Sequence, residues 1–374
     1  MLAQVVTEAQ RPVAHVLDPF CGTASVVTAS RQLGLSAVGL ELTTLGVTVG
    51  RLRLDPPVNV WEAAAFCERL ARVGPTETSG LDTELDGWLG DRNARLLTAW
   101  MPIVEDVDDA RLQRFVTVAL SQSLRPSSRW LAGSVKVTAD PNRDPIPLEH
   151  SLRRWARQLA RDCETEQDAL ADVNDIFGQR RPPAAVTRGD ARKIPMASDS
   201  VDAIVTSPPY FVTYDYFEIQ RLTYLAFGWP VKRNDQIGAK YGHQPLDRQV
   251  GLPSTFQNWY ESEFQGEKTA LGRALRAYVE DLRVHLAEAA RVVAPGGLVA
   301  YSVANSVRAG RIFDLVGGFE QLLNEAGFTE VRAIPRMQAG RRILPPGRDP
   351  KSGRFSSNVQ KAGVREYIVL GQRP

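Results

Sequence analysis

Cysteine is scarce in this 374-residue chain: Cys21, Cys67 and Cys163 make an odd, sparse set that argues against a disulfide framework and fits a reducing compartment. Histidine is nearly as rare, and His15, His150, His243 and His285 form no close ligand pair with each other or with the cysteines, which disfavours a zinc site. No hydrophobic run approaches the length of a membrane span. The opening, Met1-Leu2-Ala3-Gln4-Val5-Val6-Thr7-Glu8, lacks the basic and apolar blocks of a signal peptide, so a cytoplasmic protein without a membrane partner is expected. A large excess of one charge is also missing. The net charge of +2 argues against a protein that simply coats nucleic acid, and leaves such contacts to local basic patches. There is no internal repeat and no low-complexity tract. With 43% hydrophobic residues, the chain can bury one large core plus a helical insertion.

The opening of the chain reads as one alternating unit. Ala14-His15-Val16-Leu17 has the pattern of a buried parallel strand and runs into Asp18-Pro19-Phe20-Cys21-Gly22-Thr23-Ala24-Ser25. A helix follows through Val26, Val27 and Leu33, with Gly34 as its stop. A second strand, Ala37-Val38-Gly39-Leu40, ends at Glu41, which stands 23 positions after Asp18, where dinucleotide folds place the acid that holds ribose hydroxyls. A G-x-G-x-x-G phosphate cradle is absent, so nicotinamide and flavin dinucleotides are disfavoured and a nucleoside without phosphates fits better.

The most informative stretch lies further on, where the apolar strand Asp202-Ala203-Ile204-Val205 closes on Thr206-Ser207-Pro208-Pro209-Tyr210. Two successive prolines fix φ and supply no N–H, so the neighbouring carbonyls lack strand partners and remain free to accept hydrogen bonds from a ligand amine. Ser207 adds another acceptor. Tyr210 offers a flat face for a nucleobase, a contact worth roughly 1–3 kcal/mol in single-stranded nucleic-acid complexes. An ordinary proline turn after a strand is the competing reading, and the unit at the start of the chain weighs against it.

Together these motifs resemble the S-adenosylmethionine-dependent amino-methyltransferases of DNA, with Asp18 to Gly22 as cofactor motif and Ser207 to Tyr210 as catalytic motif. The likeness covers residues 14–54 and 186–306 and, more weakly, the tail. It implies an α/β fold: a Rossmann-like class I methyltransferase sheet, mostly parallel with an antiparallel C-terminal strand, carrying an inserted helical module. It further implies that Asp18, Phe20, Gly22 and Thr23 face the methionine part of S-adenosyl-L-methionine, that Glu41 binds ribose, and that Asp190 in Gly189-Asp190-Ala191-Arg192 lies beside adenine. The partner implied is double-stranded DNA, with the target base flipped out against Tyr210 at a cost of a few kcal/mol. By the same resemblance the Ser207 hydroxyl and the Pro208 carbonyl take up the two amine hydrogens, turning the nitrogen lone pair towards the methyl carbon.

Serine at the first motif position leans towards cytosine N4, since relatives acting on adenine N6 mostly carry Asp or Asn there. Methylation at cytosine C5 is disfavoured because it needs a thiolate, usually in a Pro-Cys pair, and none of the three cysteines follows a proline. Cys21 reads as a small packing residue. Two positions depart from the pattern. Ala24 stands where relatives have a second loop glycine, so a need for positive φ there implies a loop that bends differently or binds cofactor weakly. About a dozen residues precede the first strand, where relatives carry a further cofactor-contacting element, which points to a compact or truncated enzyme or to completion by a partner subunit. Restriction or defence components are the other expected partners.

The expected division is 1–57 as the N-terminal part of the core, 58–184 as a mainly helical insertion, and 185–374 as the rest of the core. After a helix at Leu45 to Leu54, Pro56-Pro57 ends the regular pattern. A helix at Leu148 to Phe177 places Leu152, Trp155 and Leu159 on one stripe and Arg154, Arg157 and Arg161 on another, the latter read as a solvated face in preference to a set of phosphate contacts. The aromatic run Phe211 to Tyr216 leads into a helix ending near Gly228, with Tyr214 and Tyr216 either lining a base pocket or packing the helix. Residues 231–268 lack periodicity and read as a functional or disordered loop. A helix through Tyr278, Leu282, Leu286 and Ala289 stops at Pro295-Gly296-Gly297, followed by a strand at Leu298 to Val303. Thr329 to Met337 and Arg365 to Leu370 read as an antiparallel pair joined by the basic hairpin loop 338–364. Between 332 and 366 stand nine basic residues against two acids, so Arg341, Arg342, Arg348, Lys351 and Arg354, with Tyr214, are the candidate nucleic-acid contacts. The readings kept beside cytosine N4 are adenine N6, RNA as substrate, a DNA-binding pseudo-methyltransferase or regulatory subunit, and a small-molecule N-methyltransferase.

Overall fold

The computed structural model describes residues 1–132, 134, 137–177, 182–211, 215–231, 236–237, 251–308, 311–336 and 366–374. In chain order, helix α1 (Leu2–Glu8) precedes strand β1 (His15–Asp18), helix α2 (Ser25–Gln32), strand β2 (Ser36–Glu41) and helix α3 (Thr44–Leu54). Five helices follow: α4 (Val60–Leu70), α5 (Thr83–Leu89), α6 (Asp91–Glu105), α7 (Ala110–Leu124) and α8 (Leu148–Phe177). Strands β3 (Ala184–Arg188) and β4 (Val201–Thr206) lead to short helices α9 (Tyr216–Ile219), α10 (Arg221–Ala226) and α11 (Ser254–Asn258). The chain continues through α12 (Ala270–Val292), β5 (Val293–Ala304), β6 (Ser306–Arg308), β7 (Arg311–Phe313), α13 (Leu315–Glu325), β8 (Thr329–Pro335) and β9 (Glu366–Gln372).

Seven strands form one sheet in the order β3-β2-β1-β4-β5-β9-β8, and β6 with β7 makes a separate pair. The pairs β2–β3, β1–β4 and β4–β5 are parallel, whereas β9 runs antiparallel to both β5 and β8. This is the Rossmann-like, mostly parallel sheet with an antiparallel C-terminal strand that the motifs implied. Among the described residues no helix is long and apolar enough to cross a membrane.

The chain forms two compact units. The first comprises Met1–Leu17, Ala191–Thr213 and Ile237–Pro374. Its centre is β4, whose six residues are all buried, as expected of a parallel strand covered on both faces. Val16 and Leu17 of β1 pair with Ala203 and Ile204 on one side of it, and Val205 and Thr206 pair with Ala300 and Tyr301 of β5 on the other. Helix α12 starts at Thr269, whose hydroxyl caps the Gly272 N–H at 3.1 Å, and buries Leu275, Tyr278, Leu282, Leu286 and Ala289 along one stripe. Asp202, at the start of β4, accepts the N–H groups of Ala14 and His15, both at 2.9 Å, and pairs with Arg11 at 3.0 Å, pinning the entry to β1.

Strand β5 begins at Val293 and not at Leu298, because Pro295-Gly296-Gly297 forms an irregularity within the strand and does not end the ordered structure. Val201 pairs with Val293 while Ala203 pairs with Leu298, so the excess residues are accommodated between them. Gly297 is required there: an added Cβ would sit 2.8 Å from the Asp202 carbonyl oxygen. The described part of 251–268 is also more regular than expected, with α11, a π-helical turn at Trp259–Glu263 and a 3-10 turn at Gly266–Lys268. Phe256, Trp259 and Phe264 carry it into an aromatic cluster around Phe313, which gives a segment without sequence periodicity a buried anchor.

The second unit comprises Asp18–Asp190 and Tyr214–Gln236. Residues 58–177 supply helices α4 to α8, which pack around Leu97, Trp100, Phe115, Leu120 and Leu152. Each such side chain contributes about 1.5–3 kcal/mol on burial. The buried stripe of α8 is Leu148, Leu152, Ala156, Ala160 and Cys163, so of the three apolar residues expected to form it only Leu152 is central. Trp155 and Leu159 lie at its flank, since small alanines occupy the line of closest helix approach. Arg154, Arg157 and Arg161 are exposed, Arg157 pairing with Glu68 at 2.7 Å and Arg161 with Gln158 at 2.9 Å, as a solvated face does. The single helix expected up to Gly228 is two, α9 and α10, broken at Gln220, and α10 inserts Leu222 and Ala226 into the helical core.

Candidate active site

The second unit carries the residues expected to bind a cofactor. Asp18 ends β1, is buried, and accepts the Phe20 N–H at 3.2 Å, which starts the turn. Cys21 N–H donates to the Leu40 carbonyl at 2.9 Å and Ala24 N–H to the Cys21 carbonyl at 2.7 Å, closing the loop onto β2. Two residues of the loop adopt left-handed backbone, Gly22 at φ 50° and Ala24 at φ 63°. Ala24 therefore takes up a positive φ itself, although it is not a glycine. The conformation costs an alanine roughly 1–2 kcal/mol, and its methyl is fully buried. Exposed Thr23 is held through its carbonyl by Arg53 at 2.6 Å.

Glu41, the last residue of β2, organises the site. Its Oε2 accepts the Gly22 N–H at 3.0 Å, and its Oε1 accepts the Thr43 N–H at 2.7 Å and the Thr43 hydroxyl at 2.6 Å. Burial raises the Glu41 carboxyl above its ordinary value, against the pull of these hydrogen bonds. Thr43 in turn caps α3 by accepting the Gly46 N–H at 3.1 Å. Gly46 is the position that lets the acid approach the helix, because an added Cβ would lie 2.6 Å from Glu41 Cγ. The buried Tyr224 hydroxyl accepts the Thr44 N–H at 2.8 Å, so α10 secures the same helical turn. Sequence reading missed Tyr224, which gives no local signal of a contact 180 residues away.

Strand β3 brings Asp190 alongside. Glu41 pairs in register with Arg188, and the Gly189 N–H donates to the Glu41 carbonyl at 3.1 Å, so Glu41 and Asp190 stand at the carboxyl ends of adjacent parallel strands. The Cys21 thiol is pushed far up, first by burial and then by the carboxylates of Asp18 and Glu41, and so serves as a packing residue. This donor set fits a phosphate-free nucleoside such as the one the motifs imply: carboxylates at adjacent strand ends suit hydroxyl and amino groups, and the space beside Gly22 is open, with nothing within 4 Å of an added Cβ. Among the described residues no group of His, Cys, Asp and Glu is placed to hold a metal ion.

The first unit carries the tetrapeptide Ser207-Pro208-Pro209-Tyr210 at the carboxyl end of β4. Ser207 is exposed, with its hydroxyl only weakly directed at the Ser302 carbonyl, 3.4 Å away. The Tyr210 hydroxyl donates to the same carbonyl at 3.3 Å, which orients the ring. Pro209 is fixed differently: its carbonyl accepts the hydroxyl of buried Tyr278 on α12 at 3.0 Å. Among the described residues no donor is paired with the Pro208 carbonyl. Beyond the motif, Phe211 is buried between Tyr278, Phe264 and Phe313 at ring separations of 5.6, 5.9 and 5.5 Å. An exposed hydroxyl and an unpartnered carbonyl on a proline-stiffened corner can together accept two hydrogens of one amine. Tyr214, Arg341, Arg342, Arg348, Lys351 and Arg354 lie outside the described residues.

No protein-family model matches the chain, and no curated protein matches it. Solved structures that are similar in part include the following two. One is a candidate DNA modification methylase from Thermus thermophilus, complexed with S-adenosyl-L-methionine, at 19% identity and a TM-score of 0.26 over 50% of this chain. The chain thus spans about half of that protein, 54% of its length. The other is the S-adenosylmethionine-dependent methyltransferase SibL in its apo form, at 16% identity and a TM-score of 0.24 over 88% of this chain and 74% of that one.

Proposed function

We propose that this chain is a methyltransferase that transfers the methyl group of S-adenosyl-L-methionine to the exocyclic amine of a flipped base in double-stranded DNA, with cytosine N4 as the favoured target. The observation that carries the reading is the pairing of an exposed Ser207 hydroxyl with an unpartnered Pro208 carbonyl on the corner after β4. In the other unit, the Glu41 carboxylate accepts ribose hydroxyls while Asp18 and the Gly22 loop border the methionine part.

The amine of cytosine is a poor nucleophile because its lone pair is delocalised into the ring. When bound, the cofactor supplies a sulfonium-activated methyl group. Ser207 and Pro208 would accept the two N–H groups of the amine and draw its nitrogen towards a tetrahedral geometry; as the nitrogen–methyl bond formed, the sulfonium's methyl carbon–sulfur bond would break to leave the neutral thioether S-adenosylhomocysteine, and one amine proton would go to solvent water. Positioning and stabilisation of developing positive charge carry this step, without a covalent enzyme intermediate. The three buried, proton-holding thiols agree with that, since attack on a pyrimidine ring needs a thiolate.

The test is transfer of a labelled methyl group from S-adenosyl-L-methionine to unmethylated duplex DNA, followed by digestion to nucleosides and mass spectrometry. Label in N4-methylcytosine is expected. Label in N6-methyladenine keeps the amine chemistry and changes the base; label on cytosine C5, or none under conditions where S-adenosylhomocysteine binds, refutes the proposal.

A further inference from the structure

A corner made of two prolines is stiff within itself but poorly tethered, because neither residue has an N–H with which to fasten it to the rest of the fold. Its only handles are carbonyls and the flanking side chains. Of the two proline carbonyls, the one at Pro209 is taken by the Tyr278 hydroxyl at 3.0 Å. Tyr278 is fully buried on α12, and its ring lies 5.6 Å from that of Phe211, so the same side chain holds the corner by a hydrogen bond and the following residue by packing.

Helix α12 is itself a fixed point. One polar stripe continues from Tyr278 along its length at spacings of three and four residues. Asp281 accepts from Arg192 at 2.8 Å, and His285 meets the Ala191 carbonyl through Nδ1 and the Tyr301 hydroxyl through Nε2, both at 2.9 Å. Glu288 accepts the Ile194 N–H at 2.8 Å, and Arg291 donates to the Ile194 carbonyl at 2.9 Å and the Met196 carbonyl at 2.8 Å. A carbonyl only accepts, so His285 Nδ1 carries the proton that is donated to Ala191, while Nε2 meets the Tyr301 hydroxyl. The stripe clamps α12 to 191–196 and leaves its first member, Tyr278, aimed at the catalytic corner.

We infer that Tyr278 is a positioning residue for amine recognition: by occupying the Pro209 carbonyl it sets the corner so that Pro208 and Ser207 present the acceptors. The inference rests on the methyltransferase reading above for its catalytic consequence, but not for the tether itself. Tyr278→Phe keeps the ring and its packing and removes only the hydroxyl. Because half-buried Pro209 can take water instead, the variant should fold with a melting temperature close to the parent.

Two measurements on the full chain test it. In hydrogen–deuterium exchange, Tyr278→Phe should speed exchange in a peptide covering 206–211 while leaving β5 and the body of α12 unchanged. In methyl transfer to unmethylated genomic DNA, kcat should fall about tenfold, since displacement of a reacting group by an ångström costs up to about 10²-fold, with KM for DNA and the affinity for S-adenosylhomocysteine nearly unchanged. Unchanged exchange at 206–211 overturns the inference whatever the activity, as does faster exchange with parental kcat. If the parent modifies no base while exchange at 206–211 rises in the variant, the tether stands and it is the methyltransferase reading that fails.

Discussion

Replacing Gly46 by alanine adds one methyl group and aims it at Glu41, the residue to which the proposed function assigns nucleoside binding. The new Cβ would meet Glu41 Cγ at 2.6 Å, Glu41 Cδ at 2.8 Å and Thr43 Oγ1 at 2.8 Å, separations that the structure must relieve. The neighbouring β2 is fixed by pairing, so the Glu41 side chain is what moves, and its carboxylate is drawn away from the Gly22 N–H, now 3.0 Å away, and from Thr43. Losing one hydrogen bond to a charged group costs about 1.5–3 kcal/mol, and the gain from alanine over glycine in α3 returns about 1 kcal/mol. The net loss of stability is therefore small, at about 0.5–2 kcal/mol. Binding suffers more visibly, because a displaced carboxylate loses at least one ribose hydroxyl: about a 10- to 100-fold rise in the Kd for S-adenosylhomocysteine. Isothermal titration of the variant and the parent measures this directly, with thermal unfolding as the check on folding. Gly50→Ala is the control on the same helix, since the atoms nearest its added Cβ are the methyls of Val186 at 3.1 Å and Ala24 at 3.3 Å and not the acid. Parental affinity in Gly46→Ala refutes the assignment of Glu41, and an equal loss in both variants assigns the effect to the helix and not to the acid.

Asp202 offers a pH test of the fold. Burial works against its ionised form, but the Ala14 and His15 N–H groups and Arg11 outweigh it and hold the carboxyl below its ordinary value. A depressed acid stabilises the protein above the unfolded carboxylate value and loses that contribution as pH falls through the folded one, so Asp202→Asn should cost about 1–3 kcal/mol at pH 7 in denaturant titrations and progressively less as pH falls below the ordinary carboxylate value. Glu41 has the opposite shift. Raised by burial, it protonates above the usual carboxylate range, and because ribose hydroxyls need the ionised acceptor, affinity for S-adenosylhomocysteine should begin to fall at a higher pH than an ordinary glutamate would dictate. Affinity flat from pH 7 down to 4.5 counts against that role. All three thiols are buried, with Cys67 and Cys163 each pushed up to about 12, so iodoacetamide at pH 8 should leave the native protein unmodified by mass spectrometry, and rapid labelling of Cys21 would contradict the packing of the loop.

Much of this arrangement was legible in the sequence because its signals are local. Strands β1, β2 and β4 are short apolar runs ending in Asp18, Glu41 and the Ser207 corner, and the helix bounds at Leu148 and Phe177 follow directly from periodicity. What escaped is held together across long stretches of chain. Tyr278 read as one residue of a helix stripe and Tyr224 was not singled out, and only the fold reveals that their hydroxyls end on Pro209 and Thr44, 69 and 180 residues away. Ser302 gave no signal either, since it serves through its backbone carbonyl. At Ala24 the sequence posed the question and the backbone answered it: an alanine can occupy left-handed space when its methyl is fully buried and the loop is hydrogen-bonded around it. The irregularity in β5 was misread as a stop because Pro-Gly-Gly marks breaks far more often than strand interruptions.

The account centres on the Ser207 hydroxyl as one of two acceptors that grip an amine, and Ser207→Ala under single-turnover conditions examines it alone. Ser207 is exposed, and among the described residues its hydroxyl's one hydrogen bond, to Ser302, is long, so removing it should leave folding and S-adenosylhomocysteine affinity at parental values. The rate of methyl transfer to DNA should fall about 10²- to 10³-fold, as expected when one hydrogen-bonding partner of the transition state is lost. A rate within a factor of about two of the parent, with cofactor binding intact, contradicts the central claim.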